Sequence, residues 1–578
     1  MTGASTPKMK KFAFSVLFAA AALVVALSVS AKSTKTDISR NLSIFSQVYK
    51  ELQTSYVDTI DATKTMRTAI DALLGQIDPY TEYYSADEQD QLTSVSSGQY
   101  AGIGSYIMKR DSAIVLSEPQ WNSPARKAGV RHGDVLLSIN GKTLPKTFTT
   151  AEASAQLKGQ AGTDVTITVR RPWMPQGADS ILTFTITRGT INIDPVPYSG
   201  VVAPNIGYIN ISTFSEKTAG DFLSALNRLR AENPQLKGLV IDLRDNGGGL
   251  LQSAVEIASY FLPRGTEIVT TRGRDARTTK TYKTTHNPVA PHPPLPGLAH
   301  GNTAPASEIL SGSLQDLDRA VIIGQRSYGK GLVQNPRPLP YNAMMKVTTG
   351  RYYLPTGRLI QAIDYTHRNA EGEATRIPDS LTTVFHTRAG REVRDGGGIT
   401  PDIAVELPES NRLLYTIMSE LWAYDFANKY ANNLAQAPSP DTWQVDDSVF
   451  NQFKRFIDPA RFKYDRATEA GIKYLRDAAR IEGYMSDSVD SAITHLENMM
   501  KHNLERDLDF NRKAISTILN SEMGNRWFSN ADLIRRTLPD DKELKEAVNV
   551  LNDPRQYGVI LSPKPKDEKT AKPAKPKK

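Results

Sequence analysis

Between Asp37 and about Ser97, apolar residues recur at helical spacing: Ile44, Val48 and Leu52 share one face, as do Met66, Ile70 and the Leu73–Leu74 pair. This predicts helices, the last of them stopped at Asp78-Pro79-Tyr80-Thr81. From Gly98 to about Arg188 the period shortens to two. Val165, Ile167 and Val169 alternate as in a half-buried strand, and Asn140-Gly141 is a hairpin-turn signal. From Ile206 to Val405, strands and helices alternate. Ile206–Ile211 is a strand and a helix follows from about 218 to 231. Leu239–Leu243 is a nearly continuous apolar strand, as expected where both sheet faces are covered, and another helix runs from about 252 to 260. From about Asn411 to Arg555 the pattern is helical again, with Ile493, Leu496 and Met500 on one face. The predicted fold class is therefore a multidomain α/β protein. An α/β core (191–408) carries an inserted β-rich domain (98–190), with helical regions at 34–97 and 409–561. Residues 562–578 form a Lys/Pro segment whose composition predicts disorder.

The first 31 residues read as a targeting segment. Lys8, Lys10 and Lys11 precede an apolar run from Phe12 to Leu27, and Val29-Ser30-Ala31 offers small residues at a cleavage position. The stretch is either a cleaved signal peptide or a signal anchor. Both place the body in the periplasm or cell envelope, the second with attachment to the inner membrane.

Charge changes the picture little. The formal net charge is +8, but the seven lysines of Lys564–Lys578 against Asp567 and Glu568, with the three N-terminal lysines, account for all of it. The body is neutral, so no nucleic-acid partner is expected. With no cysteine there is no disulfide, thiolate nucleophile or zinc-thiolate site. The eight histidines form no metal pattern; His292 and His300, in a Pro/Gly stretch, read as surface residues. Gly247-Gly248-Gly249 lack the Lys-Ser/Thr of a phosphate loop. No cofactor or metal is expected.

Within the β-rich stretch, Gln99-Tyr100-Ala101-Gly102-Ile103-Gly104 places glycines just before a strand, where successive backbone amides can approach a carboxylate. Ser123-Pro124-Ala125, Ala128-Gly129-Val130 and Gly133–Gly141 follow. The arrangement resembles a PDZ domain. The resemblance implies that Tyr100, Ala101, Gly102, Ile103 and Gly104 bind extended protein or peptide C-terminal tails by strand addition.

The core carries Asp242-Leu243-Arg244-Asp245-Asn246-Gly247-Gly248-Gly249 at a strand-to-helix junction, then Thr303-Ala304-Pro305-Ala306-Ser307-Glu308, then Ser327-Tyr328-Gly329-Lys330-Gly331-Leu332-Val333-Gln334. Tyr352–Arg358 and Asp395–Asp402 complete the set. With the PDZ-like stretch, these resemble the C-terminal processing (tail-specific) serine peptidases. The resemblance implies a serine nucleophile, Lys330 as general base and Gln334 as the residue that orients it. It also implies Gly248 and Ala306 as oxyanion-hole donors. The family's serine lies twenty-five residues before the lysine, and here that position is Pro305. Proline has no hydroxyl and cannot attack. Ser307 is an unlikely substitute: two residues along a helix turn it about 200° from position 305. Asp316 reads as a structural group at a helix end. The segment before Pro305, Pro294-Leu295-Pro296-Gly297-Leu298-Ala299-His300, holds residues poorly suited to a buried strand.

Two functions follow from the resemblance. One is an exported endopeptidase that binds C-terminal tails through its PDZ domain and cuts them with a Ser/Lys dyad. The other, favoured by Pro305, is a pseudoenzyme that binds such tails as a scaffold or competitor without cutting.

Overall fold

The computed structural model describes residues 36–88, 97–174, 180–406, 411–434 and 436–563. The targeting segment and the Lys/Pro segment lie outside them. Among the described residues no helix is long and apolar enough to cross a membrane.

The chain divides into two compact units at Tyr83. In the first, residues 36–55 form a helix whose Ile44, Val48 and Leu52 face is exposed. A second helix, Ala62–Gly75, is capped by Asp61, which accepts the N–H of Lys64. The stop beyond it is an Asp turn: Asp78 Oδ1 accepts the amides of Tyr80 and Thr81 at 2.8 and 2.7 Å.

The second unit holds the rest. Strands Gln99–Gly102 and Gly189–Asn192 pair antiparallel and form the stem of the inserted β domain. Beyond the stem, six antiparallel strands form a sheet in which, among the described residues, Ser105–Arg110 is an edge paired with Ala113–Pro119. The Asn140-Gly141 turn joins Asp134–Ile139 to Lys142–Thr143, with both residues at positive φ (49° and 76°). Val165, Ile167 and Val169 are fully buried on strand Asp164–Arg171.

The α/β core is a six-stranded sheet: Ser199–Ala203, Ile206–Asn210, Gly238–Asp242, Leu295–Ala299, Ala320–Gly324 and Ile403–Ala404, in that order, parallel from the second strand onward. Alternation along the strands sends Leu239, Ile241, Leu295, Ala299 and Ile322 to one face. There they pack with helices Thr218–Glu232, Leu251–Ser259 and Pro305–Asp316. Tyr208, Val240, Leu298, Val321 and Ile323 point to the other face. That face is covered by Leu544, Ala547, Val550 and Leu551 of helix Lys542–Asn552. The end of the predicted C-terminal helical region is thus a layer of the core. The remainder has its own aromatic-rich centre around Phe426, Phe450 and Phe453. Of the face predicted in its hairpin helices, Ile493 is buried, whereas Leu496 and Met500 are exposed.

Strand Leu295–Ala299 keeps its place despite its composition. All five residues are buried and pair with Ala320–Gly324. Its other edge is weaker. The carbonyls of Pro294 and Leu298 accept from Leu239 and Leu243, so Pro296 lies between them on the same edge without an N–H to return. Pairing there narrows to Ile241–Gly297 and Asp242–Leu298.

Candidate functional site

Three segments meet at the carboxyl ends of the parallel strands. The first is the glycine turn after Gly238–Asp242. Gly248 and Gly249 have φ of 99° and 131°. A Cβ on Gly249 would lie 2.0 Å from the Phe214 carbonyl oxygen, so only glycine fits. Asn246, fully buried, organises the turn. Its Nδ2 donates to Ile211 O at 2.9 Å, its Oδ1 accepts the Gly248 amide at 2.8 Å, and its carbonyl accepts the Ala304 amide at 3.0 Å. The Gly248 N–H, expected to face an oxyanion, is therefore engaged with Asn246 in this structure.

The second segment is helix Pro305–Asp316. Ala304 is its N-cap, without a side-chain cap bond, and Pro305 is its first residue. A helix accepts proline here readily: the missing N–H is one that no helical carbonyl would receive, and the ring's φ is already helical. Pro305 thus removes a hydroxyl without disturbing the backbone that would carry it. Gly248 stays close, since a Cβ there would come within 3.0 Å of Pro305 Cδ and 3.3 Å of Ala306 N. Ser307 is fully buried, and its Oγ points back into the fold, donating to Asn246 O at 3.3 Å.

The third segment is the loop Ser327–Gly331. Glu308, on the helix and fully buried, ties it down. The carboxylate accepts Ser327 Oγ at 2.5 Å, Gly329 N at 2.7 Å and Lys330 N at 3.0 Å. Burial pushes its pKa up to about 7, against the pull of these hydrogen bonds. The Tyr352 hydroxyl donates to the Lys330 carbonyl and lies 3.4 Å from that of Pro305, joining the two expected site positions. Gly329, at φ 87°, has no room for a Cβ, which would sit 2.4 Å from Ala362 Cβ. Gly398 and Ile399 back the loop, with Ile399 N donating to Ser327 Oγ at 2.7 Å. Lys330 itself is half-buried. Gln334 donates from its amide to Thr348 Oγ1 at 3.1 Å on the neighbouring strand.

One expectation changes here, and one holds, Asp316 being a structural group at the end of its helix. His300 is not a free surface residue. It is half-buried and pairs with Asp245 at 3.3 Å, because the positive-φ turn at Asp245 brings the carboxylate over the imidazole. The contact raises the His300 pKa and holds Asp245 down at about 2. Asp316 is buried deep behind the site, pairing with Arg358 at 2.7 Å and accepting Thr356 Oγ1 at 2.7 Å. His292 is exposed. Among the described residues no acidic or histidine cluster could hold a metal.

The inserted domain presents a second site. A groove of about 340 Å³ is lined by Tyr100, Ile103, Gly104, Tyr106, Leu157 and Lys158. It runs along the open edge of Ser105–Arg110 beside helix Thr150–Leu157. Ala101 and Gly102, expected to contact the tail, do not line it; they lie on the stem strand, where Gly102 bridges to Lys158. Gly104 has φ 74°, and a Cβ there would meet Ser123 Cβ at 2.5 Å. Lys158 Nζ lies 5.6 Å from the centre of the Tyr100 ring, adding a positive charge that the glycine pattern does not reveal.

Comparison with known proteins gives three matches by family description: "Peptidase family S41" over residues 205–367, "PDZ domain" over 115–171, and "Probable PDZ-protease, C-terminal helical domain" over 413–551. The chain is 35% identical to a "Carboxy-terminal-processing protease" of Bartonella bacilliformis, over 61% of this chain and 80% of that one. It is 31% identical to a "Probable CtpA-like serine protease" of Staphylococcus aureus (strain bovine RF122 / ET3-1), over 89% of this chain and 86% of the relative. Among solved structures, the "Photosystem II D1 C-terminal processing protease" matches at 25% identity and a TM-score of 0.36, covering 63% of this chain and 86% of that one.

Proposed function

Because this chain belongs to the carboxy-terminal-processing proteases of peptidase family S41 and carries their PDZ domain, we propose that it is an exported relative that captures protein C-terminal tails without cutting them. The observation that carries this reading is Pro305 as the first residue of its helix. The helix starts at this position as a proline allows, and the serine hydroxyl that the family's chemistry needs there is absent. Ser307 does not replace it, since its Oγ is buried and turned to Asn246. The PDZ groove, with an open strand edge and Lys158 at one end, supports tail binding. Lys8–Ala31 supports export.

The test is incubation of the full chain with an unstructured protein ending in an apolar tail. Binding without cleavage is expected, and binding weakens sharply when the tail is amidated. Cleavage by the unmodified chain, abolished by Ser307→Ala, overturns the reading. For export, fractionation finds the protein outside the cytoplasm; a purely cytosolic pool contradicts it.

A further inference from the structure

The PDZ domain is fastened to helix Trp422–Asn432 of the helical region. Arg110 pairs with both oxygens of Asp425 at 2.6 and 2.7 Å. The Tyr424 hydroxyl donates to Ser117 O at 2.9 Å, and Asn432 Nδ2 donates to Pro172 O at 3.1 Å. Beside these contacts, between the two modules, lies a cleft of about 290 Å³ lined by Arg126, Arg131, His132, Asn428, Arg526 and Trp527. It is remote from Pro305 and Lys330 in the chain and shares no residue with the tail groove.

The lining is cationic. No acidic side chain is among the described residues that line the cleft. Of the carboxylates nearby, Asp134 is held by Arg171 at 2.7 Å and Glu522 by Arg526 at 2.9 Å. Burial raises the Glu118 pKa, against the opposing pull of Arg526 and Arg126. The Arg126 guanidinium donates to Arg526 O at 2.6 Å and Pro119 O at 3.4 Å and stacks on Trp121, and the Arg131 guanidinium donates to Asn432 at 3.2 Å. Each guanidinium has five N–H donors, so both keep capacity for a ligand.

Two further polar atoms have no hydrogen-bond partner among the described residues: Asn428 Nδ2 and His132 Nε2. Asn428 is 1% and His132 6% exposed. The Asn428 oxygen is fixed by Arg526 at 2.9 and 3.1 Å, which leaves its amino group as the donor. Burial, with Arg526 and Arg126 alongside, lowers the His132 pKa well below the usual imidazole value and holds the ring neutral. Buried polar atoms are rarely left unfilled in folded proteins, and here two lie in one cleft beside three guanidiniums.

We propose that this cleft binds a small oxyanion, phosphate, free or as a monoester, being the simplest case. Arg126, Arg131 and the Asn428 amino group take the charged oxygens, for which guanidinium donors are well suited. The volume is at the small end of ligand cavities, which fits an ion or a short ester.

The experiment is calorimetric titration of the full chain at pH 7.5 and constant ionic strength with inorganic phosphate, glycerol 3-phosphate and sulfate. Phosphate binds, and sulfate, which has the same shape, competes with it. The stronger of the two phosphate ligands identifies the natural source as the free ion or a monoester. Asn428→Asp, which places a negative charge in the cleft, abolishes binding. Arg131→Gln, at an exposed position where folding is least disturbed, weakens it about tenfold, the loss of one charge-assisted contact. Circular dichroism confirms that the variants are folded. No binding at millimolar phosphate, or unchanged affinity in Arg131→Gln, overturns the proposal.

Discussion

The Glu308 carboxylate accepts the backbone N–H of Lys330 at 3.0 Å, so the helix that starts at Pro305 and the loop that carries the lysine move as one body. The lysine loop is held in place by a residue three positions from the lost hydroxyl, and that tie does not depend on the hydroxyl.

Restoring a serine should therefore restore some chemistry. Pro305→Ser is expected to cleave an unstructured protein with an apolar tail at a rate at least about tenfold above the unmodified chain, which shows only the residual of binding and polar groups. Activity stays well below that of an intact dyad because the Gly248 amide is engaged by Asn246. Adding Lys330→Ala removes the gain. A Pro305→Ser chain as inert as its parent would show that more than the hydroxyl is missing.

Glu308 also makes the site sensitive to pH. Its pKa is raised by burial from 4.5 to about 7. Below about pH 4.5 the group is protonated whether the chain is folded or not. Between the two values the unfolded chain releases its proton while the folded one retains it, so stability falls as pH rises and levels off above about 7. The melting temperature should drop more between pH 5 and 8 in the native chain than in Glu308→Gln. Parallel pH profiles for the two would remove Glu308 as the cause.

Lys158 should tune tail binding. Lys158→Glu reverses the charge beside Tyr100 at the end of the groove and is expected to weaken binding of a free-carboxylate peptide about fivefold, roughly 1 kcal/mol. The difference shrinks in high salt and is small for the amidated peptide. Fluorescence anisotropy with both peptide forms measures it.

Arg244 is the ionic centre of the core. It pairs with Asp242 at 2.6 Å and with Asp541 and Glu543 at 2.5 Å each. Arg244→Met leaves three carboxylates facing one another and should cost about 3–5 kcal/mol, whereas breaking an exposed pair such as Arg277–Asp275 should cost far less, since solvent screens it. Urea unfolding of the two variants gives the comparison.

Much of this was legible in the chain because it is local. The periods that mark Leu239–Leu243 and Val165–Val169, and the Asn140-Gly141 turn, concern neighbours and reappear in the structure nearly residue for residue. The spacing from position 305 to Lys330 survives as one cluster for the same reason that it could be read: both ends are motif residues. What could not be read is long-range. Asn246 organises its turn by reaching Ile211, 35 residues earlier, and Glu308 acts through backbone N–H groups that leave no mark on composition. Pro296 and Gly297 argued locally against a strand. The sheet overrides them because the edge towards Ala320–Gly324 pairs fully and both faces are packed.

The covering of the sheet by helix Lys542–Asn552 has a consequence for how the protein is made. Gly238 lies directly beneath Leu551, where an added Cβ would come within 2.6 Å of its side chain, and Leu298, Val321 and Ile323 share that shelter. While the ribosome is still adding the helical region, the sheet it has already delivered lacks its lid, and a band of valine, leucine and isoleucine faces solvent. The core cannot close until helix Lys542–Asn552 has emerged, so this chain depends on assistance during synthesis more than a sheet finished by residue 405 would.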